Sequence, residues 1–225
     1  MTAPGELIIE PKNGQPADAC VFIIHGLGAD GHDFEPLVPA LALPESANVR
    51  FIMPHAPRLP VTINGGMVMP AWYDILTLEW DSEAREDERT IRNSAELVVE
   101  LLEAEHARGI PYDRIVLAGF SQGGALALHV GTRYPHTLAG IMILSAYEVL
   151  SETYDNEAHD ANSETAMLFC HGVYDPMVPV LMGRGALERM VERGNPCEWN
   201  GYRMGHEVVL DELQRIKDWL DDSIP

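Results

Sequence analysis

Short apolar runs alternate along this chain with amphipathic segments of helical length, and that alternation restricts the fold more than any other feature. ACVFII (19–24), VRFIMP (49–54), RIVLAGF (114–120), LAGIMIL (138–144), AMLFC (166–170) and CEWNGY (197–202) have the length and apolarity of strands buried on both faces. Helices are predicted between and after them, over 33–42, 90–108, 124–134, 181–194 and 207–222. In the second of these, Ile91, Leu97, Val98, Leu101 and Leu102 fall largely on one face, and Gly109 is placed to end it. Strands spaced by such helices imply an α/β fold, a mainly parallel sheet covered by helices on both faces. With 225 residues and no linker or repeat, the expectation is a single domain over 1–225. Two stretches do not fit the layers. Residues 55–82 are rich in Pro, Gly and aromatics, and 146–165 are polar; both read as long surface excursions of the kind that cover a site at the carboxyl ends of strands.

Composition excludes several function classes. Apolar residues make up 46% of the chain, enough for a sizeable core. The formal net charge of −20 repels nucleic acid and anionic headgroups, so neither nucleic acid nor a stable membrane association is expected. Much of the acid lies in EWDSEAREDER (79–89), read as a solvated loop and helix start. Cys20, Cys170 and Cys197 are odd in number and sit in apolar or strand-like contexts, as buried free thiols of a reducing compartment do. No metal-ligand spacing is found, and the amino terminus lacks the pattern of a signal peptide. A cytoplasmic protein without a metal is the expectation, with the oligomeric state, monomer or homodimer, left open.

One segment carries chemistry. RIVLAGFSQGGALALHVGTRYP (114–135) runs from an apolar strand through Gly119-Phe120-Ser121-Gln122-Gly123 into a helix. That is G-x-S-x-G in the strand–turn–helix context a nucleophile elbow requires, with small residues letting strand and helix close around the serine. A serine hydroxyl needs a base. In this architecture an acid and then a histidine follow the serine along the chain. Asp175 lies just after the strand AMLFC, and His206 is the one histidine beyond it, between CEWNGY and the last helix. Ser121, Asp175 and His206 are therefore the candidate nucleophile, orienting acid and base. Asp155 and Asp160 are alternative acids, less well placed in the polar excursion. Backbone amides for an oxyanion are expected from Gln122, after the nucleophile, and from Leu27 in the HGLG that ends an early strand. His25 reads as a structural residue of that loop. The Gln122 side chain is expected to matter less than its N–H.

HGLGAD, PVTINGG with MPAWYDI, AGFSQGGALAL, CHGVYDPMVP and YRMGHEV, in this order from about residue 18 to residue 220, resemble the bacterial carboxylesterase and acyl-protein thioesterase family of small α/β-hydrolases, the phospholipase/carboxylesterase group. The resemblance implies the α/β-hydrolase fold with little or no cap domain, Ser121, Asp175 and His206 as the triad, and the Leu27 and Gln122 amides as the oxyanion hole. It further implies an acyl pocket lined by Trp72, Ile75 and Met177, and no cofactor. From the residues alone, the Trp72-Tyr73 pair could equally anchor its loop to the body, and Met177 could be core or pocket wall. The expected activity is a serine esterase acting on small-molecule carboxylic esters of small to medium acyl chains through an acyl-enzyme. A thioesterase acting on acyl proteins, or a lysophospholipase, is the alternative within the same chemistry. A non-catalytic binding protein on this fold would be expected to have lost one of these parts, and each is present.

Overall fold

A computed structural model describes residues 5–44, 46–80, 82 and 85–224. Its strands are β1 (Glu6–Ile9), β2 (Ala19–Ile24), β3 (Val49–Pro54), β4 (Arg58–Val61), β5 (Met67–Pro70), β6 (Ile115–Phe120), β7 (Gly140–Leu144), β8 (Met167–Gly172) and β9 (Cys197–Tyr202). Its helices are α1 (Leu37–Ala40), α2 (Glu88–Ala107), α3 (Gln122–Arg133), α4 (Tyr154–Glu157), α5 (Val180–Glu192) and α6 (Leu210–Ser223). Seven strands form one sheet in the order β1-β3-β2-β6-β7-β8-β9. β1 is antiparallel to β3, and every other pairing in this sheet is parallel.

The apolar runs become strands because both faces of the sheet are covered. Every residue of β2, β7 and β8 is buried. Alternate side chains enter two separate cores. Phe22, Ile24, Ile115 and Leu117 pack on one face with Ile91, Val98 and Leu102 of α2 and Ala125 and Leu128 of α3. Val21, Ile23, Val116 and Ala118 pack on the other with Val38 of α1 and Ile216, Trp219 and Leu220 of α6. α2 begins where the Asp87 carboxylate accepts the Arg89 N–H, and its buried stripe includes Ile91, Leu97, Val98 and Leu102, with Leu101 only half-buried.

The strand order also sets where a ligand can sit. After β2 the chain moves outward to β3, then returns across β2 to lay β6 on its other side. Such a reversal opens a crevice at the carboxyl ends of the two strands involved, here between the residues after Ile24 and those after Phe120.

Four local readings differ from the sequence expectation. The predicted helix over 33–42 is a single 3₁₀ turn, Gly31–Phe34, followed by the four-residue α1, because Pro36 and Pro39 withhold amide donors from a longer helix. The antiparallel edge strand β1 was too short and too half-buried to show a pattern. The 55–82 excursion contains an antiparallel ribbon, β4 with β5, turned by Thr62–Asn64, with Gly65 (φ 67°) and Gly66 (φ 78°) following. Asp74 ties that ribbon down, accepting from the Thr62 N–H at 2.7 Å and from its hydroxyl at 2.6 Å. The 79–89 segment is not wholly solvated. Arg85 is buried, and an antiparallel bridge between Ile75 and Glu86 folds the segment back on itself. Residues 81, 83 and 84 of that segment lie outside the described residues.

The 146–165 stretch reaches the crevice with Tyr147, while its later part packs against the helices. Glu157 takes Arg133 at 2.9 Å and Arg92 at 2.7 Å, while Asn162 donates to the Tyr134 and His136 carbonyls. Burial alone would raise the Glu157 carboxyl. Hydrogen bonds from Thr153, Arg92 and Arg133 outweigh it and hold the group down to about 2.

Glu212 of α6 is the opposite case. It is fully buried, one carboxyl oxygen lacks a protein partner, and the other accepts only a long bond from the Val209 N–H at 3.4 Å. Burial pushes its pKa up to about 8. A raised native pKa makes the group's contribution complete below its unfolded value, near 4.5, and progressively lost as pH rises towards 8. Glu212→Gln, which cannot ionise, should therefore gain about 2–4 kcal/mol on the native chain between pH 5 and pH 8. Urea unfolding of both proteins at the two pH values measures this; parallel pH profiles would contradict it.

Candidate active site

The crevice is a cleft of about 340 Å3 whose walls include Gly26, Leu27, Ile75, Ser121, Gln122, Tyr147, Met177 and His206. Ser121 occupies the turn between β6 and α3 with φ 55° and ψ −120°, a conformation that costs a non-glycine residue on the order of 1–3 kcal/mol. Its neighbours over-determine it. The Ser121 amide donates to the Leu144 carbonyl at 2.8 Å, and its own carbonyl accepts the Ala125 N–H at 3.0 Å. Gly123 lies so close to β2 that a Cβ there would stand 2.1 Å from the Ile24 carbonyl oxygen. Only glycine allows this approach, which presses the start of α3 onto the end of β2.

Asp175 and His206 come from the loops after β8 and β9. The Val173 amide donates to the Tyr202 carbonyl at 2.8 Å and the Tyr174 amide to the Met204 carbonyl at 3.1 Å, continuing the strand pairing into the loops. Gly172 makes room: a Cβ there would meet the Gly205 carbonyl oxygen at 2.1 Å. The result is a bond of 2.7 Å between His206 Nδ1 and Asp175 Oδ2. The other carboxylate oxygen accepts the Met177 and Val178 amides, both at 2.8 Å. The Asp175 side chain is fully buried and that of His206 is 18% exposed, so the acid is locked and the imidazole is reachable from the cleft. The Phe120 ring, next to the serine, lies 4.7 Å from the His206 ring.

Leu27 and Gln122 both border the cleft. Gln122 opens α3, so its amide has no intrahelical acceptor and the positive end of the helix lies behind it. The loop carrying Leu27 is fixed on both sides. The Gly28 amide donates to the Pro70 carbonyl at 2.8 Å, and the Trp72 indole N–H donates to the His25 carbonyl at 2.9 Å. His25 is a structural residue, as the sequence suggested. Its Nε2 accepts the Ala56 N–H at 3.1 Å, which leaves Nδ1 to donate to the Gly26 carbonyl at 2.8 Å. Burial lowers its pKa, in keeping with this neutral tautomer.

Of the three residues expected to line the pocket, Ile75 and Met177 border the cleft. Trp72 is buried behind it, bonded through its amide to Gln122 Oε1 at 2.8 Å and through its indole to His25. That is the anchoring alternative, and the physical reason is the need to satisfy a buried indole N–H. Sequence reasoning missed three further residues. Arg85 and Tyr147 border the cleft. His171 donates through Nε2 to the Val178 carbonyl at 2.9 Å and so braces the turn that holds Asp175.

The Gln122 side chain also proves more than incidental. It accepts from the Trp72 amide and donates to the Tyr73 carbonyl at 2.7 Å while itself buried.

A family model described as phospholipase/carboxylesterase matches residues 4–224. The chain belongs to the phospholipase/carboxylesterase family. Acyl-protein thioesterase 1 of Neurospora crassa is 39% identical over 214 residues, covering 92% of this chain and 87% of the relative. The crystal structure of Arabidopsis thaliana SOBER1 is 31% identical, with a TM-score of 0.86 over 92% of this chain and 99% of that one. Zea mays acyl-protein thioesterase 2 is 27% identical, with a TM-score of 0.84 over 98% and 99% of the two chains. These relatives are fungal and plant proteins, so the likeness extends well beyond the bacterial members. The family and its fold, an α/β-hydrolase sheet, place this chain among ester- and thioester-cleaving hydrolases. A hydroxyl and an imidazole on one cleft, with a buried carboxylate bonded to the imidazole, are the parts that nucleophilic acyl transfer needs.

Gln122→Ala should leave two buried backbone groups without partners and lower stability by about 1–3 kcal/mol, while the protein that stays folded keeps most of its hydrolytic activity. Chemical denaturation and initial rates on one preparation measure both. Unchanged stability would mean that the clamp on residues 72 and 73 is without weight.

Proposed function

We propose that the protein is a serine hydrolase acting as a single α/β-hydrolase domain, with Ser121 as nucleophile, His206 as general base and acid, and Asp175 as its orienting partner. The observation that carries this reading is the 2.7 Å Asp175–His206 bond at the rim of the cleft that Ser121 borders from its strained turn. Asp175 holds Nδ1 protonated, leaving Nε2 as the nitrogen that takes a proton. Ser121 Oγ forms a bond to the acyl carbon as its proton passes to His206 Nε2. The carbonyl π electrons move to the oxygen, which the Leu27 and Gln122 amides stabilise. The carbon–oxygen or carbon–sulfur bond then breaks, His206 protonates the leaving group, and an ester of Ser121 remains. Water, deprotonated by His206, repeats the sequence and returns the free serine with a carboxylic acid. These steps call on no metal or cofactor.

The substrate class is a small-molecule carboxylic ester of small to medium acyl chain, and the cleft walls contributed by Ile75, Leu78 and Met177 suit an apolar acyl group. A second reading, cleavage of an acyl thioester on a protein, draws on the names of the fungal and maize relatives and on the exposure of Leu78, Tyr174 and Met177. A cytoplasmic setting fits either, since the three cysteines are unpaired and no helix is long and apolar enough to cross a membrane, among the described residues.

Ser121→Ala should reduce kcat on p-nitrophenyl butyrate by at least about 10⁴-fold, and Asp175→Asn by about 10³–10⁴-fold, without loss of fold. A Ser121→Ala protein as fast as the parent would sink the reading. Parallel assay of a palmitoyl-cysteine peptide separates ester from thioester preference.

A further inference from the structure

The acyl cleft does not end on an apolar wall. Arg85 and Tyr147 stand on its wall, and both also border a second cavity of about 660 Å3. Arg85 and Tyr147 border both spaces and are the only described residues that do. The second cavity is polar, with Glu86, Glu148, Glu152 and Arg189 on its walls.

The partition is firmly built. The Arg85 guanidinium lies 3.6 Å from the Trp80 ring centroid and 4.6 Å from that of Tyr147, and these two rings meet edge to face at 5.1 Å. Glu86 pairs with the guanidinium, and the Tyr147 hydroxyl bonds the Tyr73 hydroxyl at 2.9 Å. The Leu76 amide, donating to the Arg85 carbonyl at 2.7 Å, fixes the backbone. Arg85 is nonetheless buried with its Nε lacking a protein partner, so it is neither a surface charge nor a fully satisfied core residue.

We propose that Arg85 is a specificity-determining residue that sets the maximum acyl length. A short chain fills the cleft and stops at the guanidinium. A longer one would have to displace Arg85 from Trp80 and Tyr147, break its buried pair with Glu86, and enter a cavity lined by charges. The inference rests on the acyl-transfer reading given above, because it takes the cleft beside Ser121 as the acyl site.

The test is a series of p-nitrophenyl esters from acetate to hexadecanoate on the parent, Arg85→Ala, Arg85→Leu and the double variant Arg85→Ala/Met182→Trp. Met182 lies on the wall of the second cavity and does not border the acyl cleft. The parent should lose kcat/KM steeply beyond medium chains. Arg85→Ala should raise the ratio of kcat/KM on dodecanoate or hexadecanoate to that on butyrate by at least about tenfold, mainly through KM on the long esters. Arg85→Leu keeps packing for Trp80 and Tyr147 but is shorter and uncharged; it should relax the cut-off partly, and it stands in if the alanine variant does not fold. Adding Met182→Trp should restore the cut-off by filling the newly joined space. A chain-length profile that stays like the parent's in the folded Arg85 variants overturns the proposal, as does relaxation that Met182→Trp leaves untouched. Ser121→Ala separates the two failures. If it is inactive while the Arg85 profiles are unchanged, only the partition is wrong; if it remains active, the acyl-transfer reading is wrong.

Discussion

The contact between the start of α3 and the end of β2 is the constraint on which the site depends. Gly123 brings helix backbone within van der Waals reach of the Ile24 and His25 carbonyls. That approach forces the chain to turn sharply between Gly119 and Gly123 and holds Ser121 at positive φ. Strain of this kind persists only where the surroundings leave no alternative. Here the surroundings are the two central strands, each buried on both faces and paired in register from Cys20 with Ile115 to Ile24 with Gly119. The hydrophobic cores above and below the sheet thus fix the orientation of a single side chain at its edge.

A second tier of interactions passes that rigidity to the loops. Gln122 grips the 72–73 backbone, Trp72 grips the HGLG loop, and His25 and Gly28 bind that loop to the segment after β3 and to the end of β5. On the other side, the pairing of β8 with β9 continues past the strands and delivers Asp175 to His206, with His171 bracing the turn between them and α5. Nearly every buried polar group around the cleft is used to hold a loop. Among the described residues, Arg85 Nε on the cleft wall and Ser145 Oγ at the end of β7 are left without a protein partner.

Much of this was legible in the sequence because the signals are local or ordered. Apolar runs such as ACVFII and AMLFC report burial on both faces directly, and the spacing around Ser121 reports the turn. Asp175 and His206 could be singled out because chain order leaves few rivals, although their bond depends on two loops meeting in space. What was not legible depends on long-range partners. Nothing near Arg85 in EWDSEAREDER announces that Trp80 and Tyr147 will enclose it, so a charged run reads as solvent-facing. Glu212 sits in an otherwise amphipathic closing helix, and only the packing of α6 under the sheet removes it from water. Trp72 reads as a pocket wall or an anchor until the acceptor for its indole N–H is known.

In the acyl-transfer mechanism proposed for this cleft, Ser121 is the group that becomes acylated and His206 the base that activates it. Intact-mass and peptide mass spectrometry after brief exposure to a short-chain alkyl fluorophosphonate tests it directly. One adduct per chain is expected, carried by the peptide containing Ser121 and lost in a folded His206→Ala protein. An adduct on another residue, or unchanged labelling without His206, would contradict it.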